Sequence, residues 1–482
     1  MAINTLSFLL FFVVVFILYY LPTRLKKEGL WQNIVLLVSS YFFFGYADWR
    51  MLPLLIGITI PYYFIGIGLE KKVDTKASDW LLALAIVLGV GVLGYFKYLN
   101  FCILAFSDML QAIGFNVSLH TLRIIMPIGI SFFIFRLLSY SIEIHRGMMN
   151  ASRDFVAFAS YVAFFPSMLS GPIDRPDKML PQLAKNKTFD AATATTGMRQ
   201  ILWGMFKKMA VADTLAVFVD AHLAADHISS VNSLTMILVI FAYTFQIYAD
   251  FSGYSDMAIG VGKLLNIKMA VNFKYPLFAL NIQDFWNRWH ISLTSWMQDY
   301  VFLPLSFAFR GWRKWGTFLA IIINFVIVGV WHGAGWNYAI YGLYHGCLFI
   351  PLILRGGVTS NTTIRTNKIG LPVFADWCKM LLTFLCVSFG MMIFRSATMA
   401  SLGEIIAQVG RNWNGSIDFG SAIGWLLVII MMMVEWLQRN REFGLELSGI
   451  KSRAIRWCIY LVVLLFIFYL GGGEQHFIYQ VF

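Results

Sequence analysis

The stretch NFVIVGVWHGAGWNYAIYGLYHG (residues 324–346) sets two histidines, His332 and His345, among apolar and aromatic side chains. An ionisable group inside such a run is costly unless it faces a protein interior, so function is the first reading of it. A neutral imidazole can take a proton from a hydroxyl and return it to a leaving group. Gly333-Ala334-Gly335 directly after His332 removes bulk and lets a substrate or backbone approach closely. Trp331 and Asn337 flank His332 as candidate supporting groups. The alternative is a histidine hydrogen-bonded to a neighbouring helix as glue, and these residues alone leave both readings open. For His345, across an expected turn or near the far end of the next helix, helix packing is the reading preferred.

A second constellation is QDFWNRWHISLTSWMQDYVFLPL (283–305). Read as one helix, it puts Trp286, Trp289 and His290 on one face at three- and four-residue spacing, with Phe285 beside them. Arg288 and Asp299 could form a charge pair nearby, and Asn287 adds a polar group. Rings beside an imidazole could wall a tunnel for a thin substrate. The competing reading is an interfacial aromatic belt with a snorkelling arginine. It explains the tryptophans better than it explains histidine, asparagine and aspartate together.

Two further segments carry polar groups. QIYADFSGYSDMAIG (246–260) supplies Asp250, Ser252, Ser255 and Asp256, which could make a hydrogen-bond hub, a cation site or a proton path. The hub is favoured, because a relay wants more titratable residues in series. FFPSMLSGPIDRP (164–176) reads as a helix broken at Gly171-Pro172, with Asp174 and Arg175 at a re-entrant turn. No G-x-S-x-G elbow, P-loop or dinucleotide fingerprint occurs, so a serine hydrolase is poorly supported. Cys102, Cys347, Cys378, Cys386 and Cys458 are odd in number and lack CxxC spacing. They indicate neither a disulfide framework nor a zinc site.

The elements that position these groups must lie in a membrane. Of 482 residues, 59% are hydrophobic and 13% charged, too few charges to meet water on every side. Only helices suit runs this long and non-alternating. Candidate spans are 5–22, 31–47, 51–69, 79–99, 122–144, 153–170, 196–216, 233–250, 315–332, 337–354, 373–395, 421–438 and 455–471. Some of them could be re-entrant, so about 11 to 13 is the expected count. Residues 251–285 and 285–316 fit poorly as simple spans and survive at membrane depth only if buried in protein or lining a wet cavity. The expectation is one membrane domain over 1–482, with its chemical core at about 120–350. The first run, Leu6 to Tyr20, has no basic region before it and no cleavage site after it, so it reads as a retained span. The basic loops TRLKKEG (23–29) and EKKVDTK (70–76) put that span's far end in the cytoplasm. The net charge of +12 is topogenic on this reading. Its lysines and arginines sit in short loops and form no stripe for nucleic acid.

Taken together, LGYFKYLNF (93–101), PIGISFFIFRLLSYSIEIHRG (127–147), FFPSMLSGPIDRPDKMLPQL (164–183), QIYADFSGYSDMAIGVGKLL (246–265), DFWNRWHISLTSWMQDYVFLPL (284–305), GVWHGAGWNYAIYGLYHG (329–346) and the terminal HFIYQVF resemble the membrane-bound O-acyltransferase (MBOAT) superfamily. More narrowly, they look like its bacterial branch of alginate O-acetyltransferase membrane subunits. The resemblance implies an all-α polytopic fold of about 11 transmembrane helices, plus re-entrant or interfacial helices, around a central tunnel. It implies that His332 is catalytic and His290 a second essential or supporting group. It also implies a multi-pass protein of the bacterial inner membrane, in contact with membrane lipids.

The expected reaction moves acetyl from cytoplasmic acetyl-CoA to an extracytoplasmic polysaccharide such as alginate, cellulose or peptidoglycan. A partner acetyltransferase outside the membrane would place it, and no permanently bound cofactor or metal is expected. His332 would deprotonate the hydroxyl, while His290, with Trp286 and Trp289, would position the acyl group or polarise its carbonyl. Departures such as RLLSYSIEIHRG and the RPDKM run stand against naming alginate as the acceptor. The alternatives are a D-alanyl or other acyl exporter of the same superfamily and, from another class, a proton-coupled transporter. The transporter would want repeated halves and a chain of titratable groups, neither of which the sequence offers.

Overall fold

The computed structural model describes residues 1–21, 28–115, 119–224, 228–356 and 363–471. Most of the basic loop 23–29 and the terminal HFIYQVF lie outside the described residues. The described chain is all-helical apart from an isolated bridge between Thr366 and Pro372. It divides into two compact units, residues 1–198 with 258–270 and residues 199–257 with 271–482.

The first unit holds α1 (Leu6–Tyr20), α2 (Leu30–Asp48), α3 (Leu52–Lys71), α4 (Lys76–Leu93), α5 (Leu99–Ala112), α6 (Ile130–His145), α7 (Phe155–Ala163) and α8 (Pro176–Leu183). Starts are set by side-chain caps: Thr5, Thr75 and Asp154 each accept from backbone N–H groups of the first turn. The span expected at 122–144 begins only at Ile130. Pro127 disfavours helix at the residue before it, and Gly129 adopts φ +70°.

Arg136, fully buried on α6, organises the break in the next span. Its guanidinium donates to the carbonyls of Tyr161 (3.2 Å) and Val162 (3.0 Å) and to the Ser167 hydroxyl. Those carbonyls belong to the last turn of α7, where no helical partner remains. The chain then runs through one short turn, Phe165–Ser167, and becomes helical again at Pro176. The expected break is therefore present, starting several residues before Gly171-Pro172.

The second unit holds most of the later helices. α9 (Ala191–Met205) and α10 (Asp213–Leu223) are joined by a π-helical turn, Phe206–Ala212. α11 (Ser233–Leu264) follows, and both α9 and α11 carry residues of the two units. Next come α12 (Ile282–Trp286), α13 (Ile291–Met297), α14 (Leu303–Ala308), α15 (Arg313–His332), α16 (Trp336–Cys347), α17 (Ile350–Leu354), α18 (Phe374–Arg395), α19 (Met399–Arg411), α20 (Ala422–Leu437) and α21 (Arg453–Leu470).

Among the described residues, seven helical segments are long and apolar enough to cross a membrane: Leu30–Lys71, Lys76–Ala112, Ser233–Leu264, Arg310–His332, Trp336–Leu354, Phe374–Arg395 and Arg453–Leu470. Leu6–Tyr20, Phe155–Ser167 and Ala422–Leu437 are shorter apolar helices. Large apolar side chains such as Leu9, Phe64, Val87, Leu382 and Phe468 stand on the outside, as a lipid-facing surface requires.

Two expectations fail here for one physical reason. The span expected to stop at residue 250 continues as α11 to Leu264, and the helix expected over 283–305 is broken. α11 continues because its polar residues find partners across the unit. Lys207 Nζ pairs with Asp256 (2.6 Å) and donates to Ser252 (2.9 Å), and Gln200 also donates to Asp256 (2.8 Å). Lys208 Nζ bridges Asp213 (2.7 Å) and Asp250 (2.9 Å). The wider π-helical turn carries the two adjacent lysines at this contact. Close approach is set where α9 meets α11: a Cβ on Gly253 would stand 2.7 Å from the Gly204 carbonyl oxygen. The expected hub is thus an ion-pair network.

Each ion of such a network is expensive to bury, and stability depends on complete pairing. Lys208→Met leaves Asp213 and Asp250 uncompensated, and is expected to destabilise the folded protein by about 3–5 kcal/mol. Thermal unfolding in detergent measures the loss, and adding Asp250→Asn should recover part of it. An unchanged transition in Lys208→Met contradicts the network's role.

Candidate active site

The first histidine is placed by a tight helical hairpin in the second unit. α15 and α16 touch backbone to backbone: a Cβ on Gly329 would collide with the Tyr338 carbonyl, and one on Gly342 with the Phe325 carbonyl. Small residues are what permit such contact between apolar helices. His332 is the last residue of α15 and is buried. Its ring meets Trp331 (4.9 Å between centroids), Phe394 of α18 (5.2 Å) and Tyr341 of α16 (6.2 Å), all edge-on. The space freed at Gly333 is filled by the Tyr338 ring, with which a Cβ there would overlap. Asn337 is buried and donates from Nδ2 to the Ser396 carbonyl (2.9 Å), tying the start of α16 to the end of α18.

The second histidine sits where the expected helix breaks. α12 stops at Trp286, and His290 takes the left-handed conformation, φ +44° and ψ +51°, immediately before α13. That region is uncommon for a residue with a Cβ, and it persists only when the surroundings hold it. Here the holding element is the segment 271–275. Ile291 N–H donates to the Asn272 carbonyl (2.8 Å), and Lys274 N–H donates to the Arg288 carbonyl (2.9 Å). His290 is 1% exposed, its Nδ1 lies 2.9 Å from Asn272 Oδ1, and its ring stands edge-on to Phe251 (4.7 Å).

Because of this break, Trp286 and His290 do not share one helical face. Trp286 packs on Phe325 (5.1 Å) and His345 (5.1 Å). Trp289 stacks on Phe285 (5.4 Å) and meets Phe273 edge-on (5.1 Å). The His290 ring lies 6.0 Å from Trp331, which in turn meets His332. Trp331 therefore links the two histidines. Arg288 pairs with Asp284 on its own turn (2.7 Å), the partner that the sequence reading had sought at Asp299. Asn287 is exposed, and Asp299 is half-buried in the π-helical turn Gln298–Phe302.

His345 is fully buried between Trp286, Tyr341 (4.6 Å) and Tyr344 (5.4 Å). Its packing is by rings, not by hydrogen bonds. Among the described residues, neither of its nitrogens has a hydrogen-bond partner, nor do Trp286 Nε1 or His290 Nε2. An unmet buried polar atom costs about 1–3 kcal/mol. Trp286 and His345, in ring contact with each other, and His290 each carry such an atom. Among the described residues, no group of three His, Cys, Asp or Glu converges to hold a metal ion.

Sequence reasoning missed Asn272, Lys207 and Lys208. Asn272 lay in a stretch singled out for its polarity, but nothing local pointed from it to His290. The lysines had a signal, since adjacent ammonium groups inside a run counted as a span require acidic partners.

The model of the membrane-bound O-acyltransferase family matches residues 149–394, a range that contains both histidines and Asn272. The chain belongs to that family. It is 35% identical over 87% of its length to a probable alginate O-acetylase, AlgI, of Pseudomonas syringae pv. tomato, covering 76% of that protein. It is 30% identical over 85% of its length to a peptidoglycan O-acetyltransferase of Helicobacter pylori, covering 80% of it. A teichoic acid D-alanyltransferase of Bacillus subtilis is 33% identical over 47% of this chain and 58% of its own. This MBOAT protein is thus a multi-pass membrane O-acyltransferase of the AlgI-like branch.

Burial holds the His290 imidazole far below its ordinary 6.5, at about 3. Below pH ~6.5 the unfolded chain takes up a proton that folded His290 refuses. Stability present above that pH is then lost as pH falls toward the folded value, at about 1.4 kcal/mol per pH unit. Thermal unfolding between about pH 7.5 and about pH 5 should therefore fall less steeply in His290→Gln than in the parent. Equal slopes contradict a neutral, buried His290.

Proposed function

We propose that the protein transfers acetyl groups from acetyl-CoA at the cytoplasmic face to a hydroxyl acceptor. The product serves O-acetylation of an extracytoplasmic polysaccharide through a partner transferase. The observation that carries this reading is the pairing of two buried histidines across Trp331. The names of the relatives give it its substrate class.

In this mechanism His332 takes the proton of the acceptor hydroxyl as the oxygen attacks the thioester carbonyl. The tetrahedral intermediate collapses, the C–S bond breaks, and the CoA thiolate receives the proton from His332. His290, Trp286, Trp289 and Trp331 orient the reacting groups in a site from which water is excluded. Asn337 holds the hairpin that carries His332 against α18. Basic loops at the cytoplasmic face attract the phosphates of the donor. The site lies in the bacterial inner membrane, where donor and polymer are on opposite sides.

D-alanyl export is the second reading, and the higher identity to the alginate O-acetylases favours the first. The AlgI relative is 35% identical over 87% of the chain, whereas a teichoic acid D-alanyltransferase of Streptococcus thermophilus is 28% identical over 73% of it. A proton-coupled transporter does not fit a family of acyltransferases. His332→Ala is expected to lower polymer acetylation by about 10²–10⁴-fold with normal expression of the protein. Acetylation of the polymer at the parental level overturns the assignment.

A further inference from the structure

His290 was expected to position the acyl group or to polarise its carbonyl. Its hydrogen bonds choose between kinds of role. Asn272 Oδ1 lies 2.9 Å from His290 Nδ1, and also receives the Ser292 hydroxyl (2.9 Å) and the Ser292 backbone N–H (3.4 Å). Asn272 Nδ2 donates to the Ser255 hydroxyl on α11 (3.1 Å). The amide orientation follows from these partners, since a flipped amide would set its NH₂ against a backbone N–H. An oxygen therefore faces Nδ1, and Nδ1 must carry the ring proton. Nε2 is then a bare lone pair, buried and without a hydrogen-bond partner among the described residues. An imidazole in this tautomer cannot donate to a carbonyl from Nε2.

We propose that Asn272 is a positioning residue that locks His290 as the Nδ1–H tautomer, so that His290 Nε2 accepts a hydrogen bond from a donor group of the acceptor molecule other than the hydroxyl that His332 deprotonates, and does not polarise the thioester carbonyl. The same asparagine holds the left-handed backbone of His290 through Ile291, so one residue sets both direction and tautomer. Ser255 anchors it, which gives the serine-rich turn of α11 a part in the site. On the elements packed round His290, the titratable groups include Lys274, which is exposed, and Tyr275, whose buried hydroxyl has no hydrogen-bond partner among the described residues. Asp250 and Asp256 are held by Lys208 and Lys207, Asp284 by Arg288, and His332 stands beyond Trp331.

The proposal rests on the acyl-transfer reading and is tested on the purified full chain by acyl-transfer kinetics across pH. Asn272→Asp places a carboxylate on Nδ1 and favours the imidazolium. The acidic limb of kcat/KM is expected to move to higher pH by about one unit or more. Asn272→Ala is expected to lower kcat by about 10- to 100-fold, as loss of a histidine's orienting partner does, with the KM for the thioester unchanged. His290→Gln keeps an accepting oxygen and should be at least about tenfold more active than His290→Leu. A folded Asn272→Asp with the parental pH profile overturns the proposal. So do equal activities of His290→Gln and His290→Leu, a test that stands even where the Asn272 variants fail to fold. If His332→Ala transfers acyl groups at the parental rate, the acyl-transfer reading itself falls. If that variant is inactive and the pH profile of Asn272→Asp is unmoved, only the role of Asn272 falls.

Discussion

Beneath a lipid-facing surface, a polar side chain can be satisfied only by other protein groups or by the molecule on which it acts. That constraint sorts the interior of this protein into two kinds of polar site. Arg136 and the pair Lys207 and Lys208 are of the first kind. The arginine takes the end carbonyls of α7, and within 3 Å Lys207 has the carboxylate of Asp256 and Lys208 those of Asp213 and Asp250. Such groups tie neighbouring helices together. On the proposed acyl-transfer function we assign His290, His345 and Trp286, each with at least one ring nitrogen that no described residue satisfies, to the second kind.

The backbone departs from the plainest helix at both histidines of the proposed site. His290 occupies a left-handed conformation between two short helices, and His332 ends a helix against a glycine-lined hairpin. The left-handed conformation of His290 is enforced from elsewhere, by the 271–275 segment, and the end of α15 at His332 is packed by α16 and α18. Strain held by surrounding structure is common at sites that must present one atom in one direction. A lipid-facing span has no comparable need, and α21, mostly exposed, is an unbroken helix.

How much of this the sequence declares follows from the range of each interaction. Spans were legible because apolar runs are local: the expected 31–47, 315–332, 373–395 and 421–438 match helices to within about two residues. His332 and His290 were legible because imidazoles in such company are conspicuous. The continuation of α11 past Gly253 was not, because Asp250 and Asp256 look like the end of a span until Lys207 and Lys208 are seen opposite them. The break at 287–290 was hidden for the same reason. Trp286 and His290 have helical spacing, and only the backbone pairing with Asn272 and Lys274 shows that the helix has stopped. Asn272 itself lies 18 residues from the ring it orients. Patterns that a segment carries by itself could be read; partners supplied by another segment could not.

The central claim is that a buried imidazole at position 332 drives acyl transfer from a thioester. Its most direct test is release of free CoA from acetyl-CoA by the purified protein in lipid nanodiscs, with a hydroxyl acceptor present and absent. The account predicts acceptor-dependent release that His332→Gln abolishes while binding of acetyl-CoA persists. Release at the parental rate in His332→Gln, or no thioester cleavage by the parent with any acceptor, would contradict it.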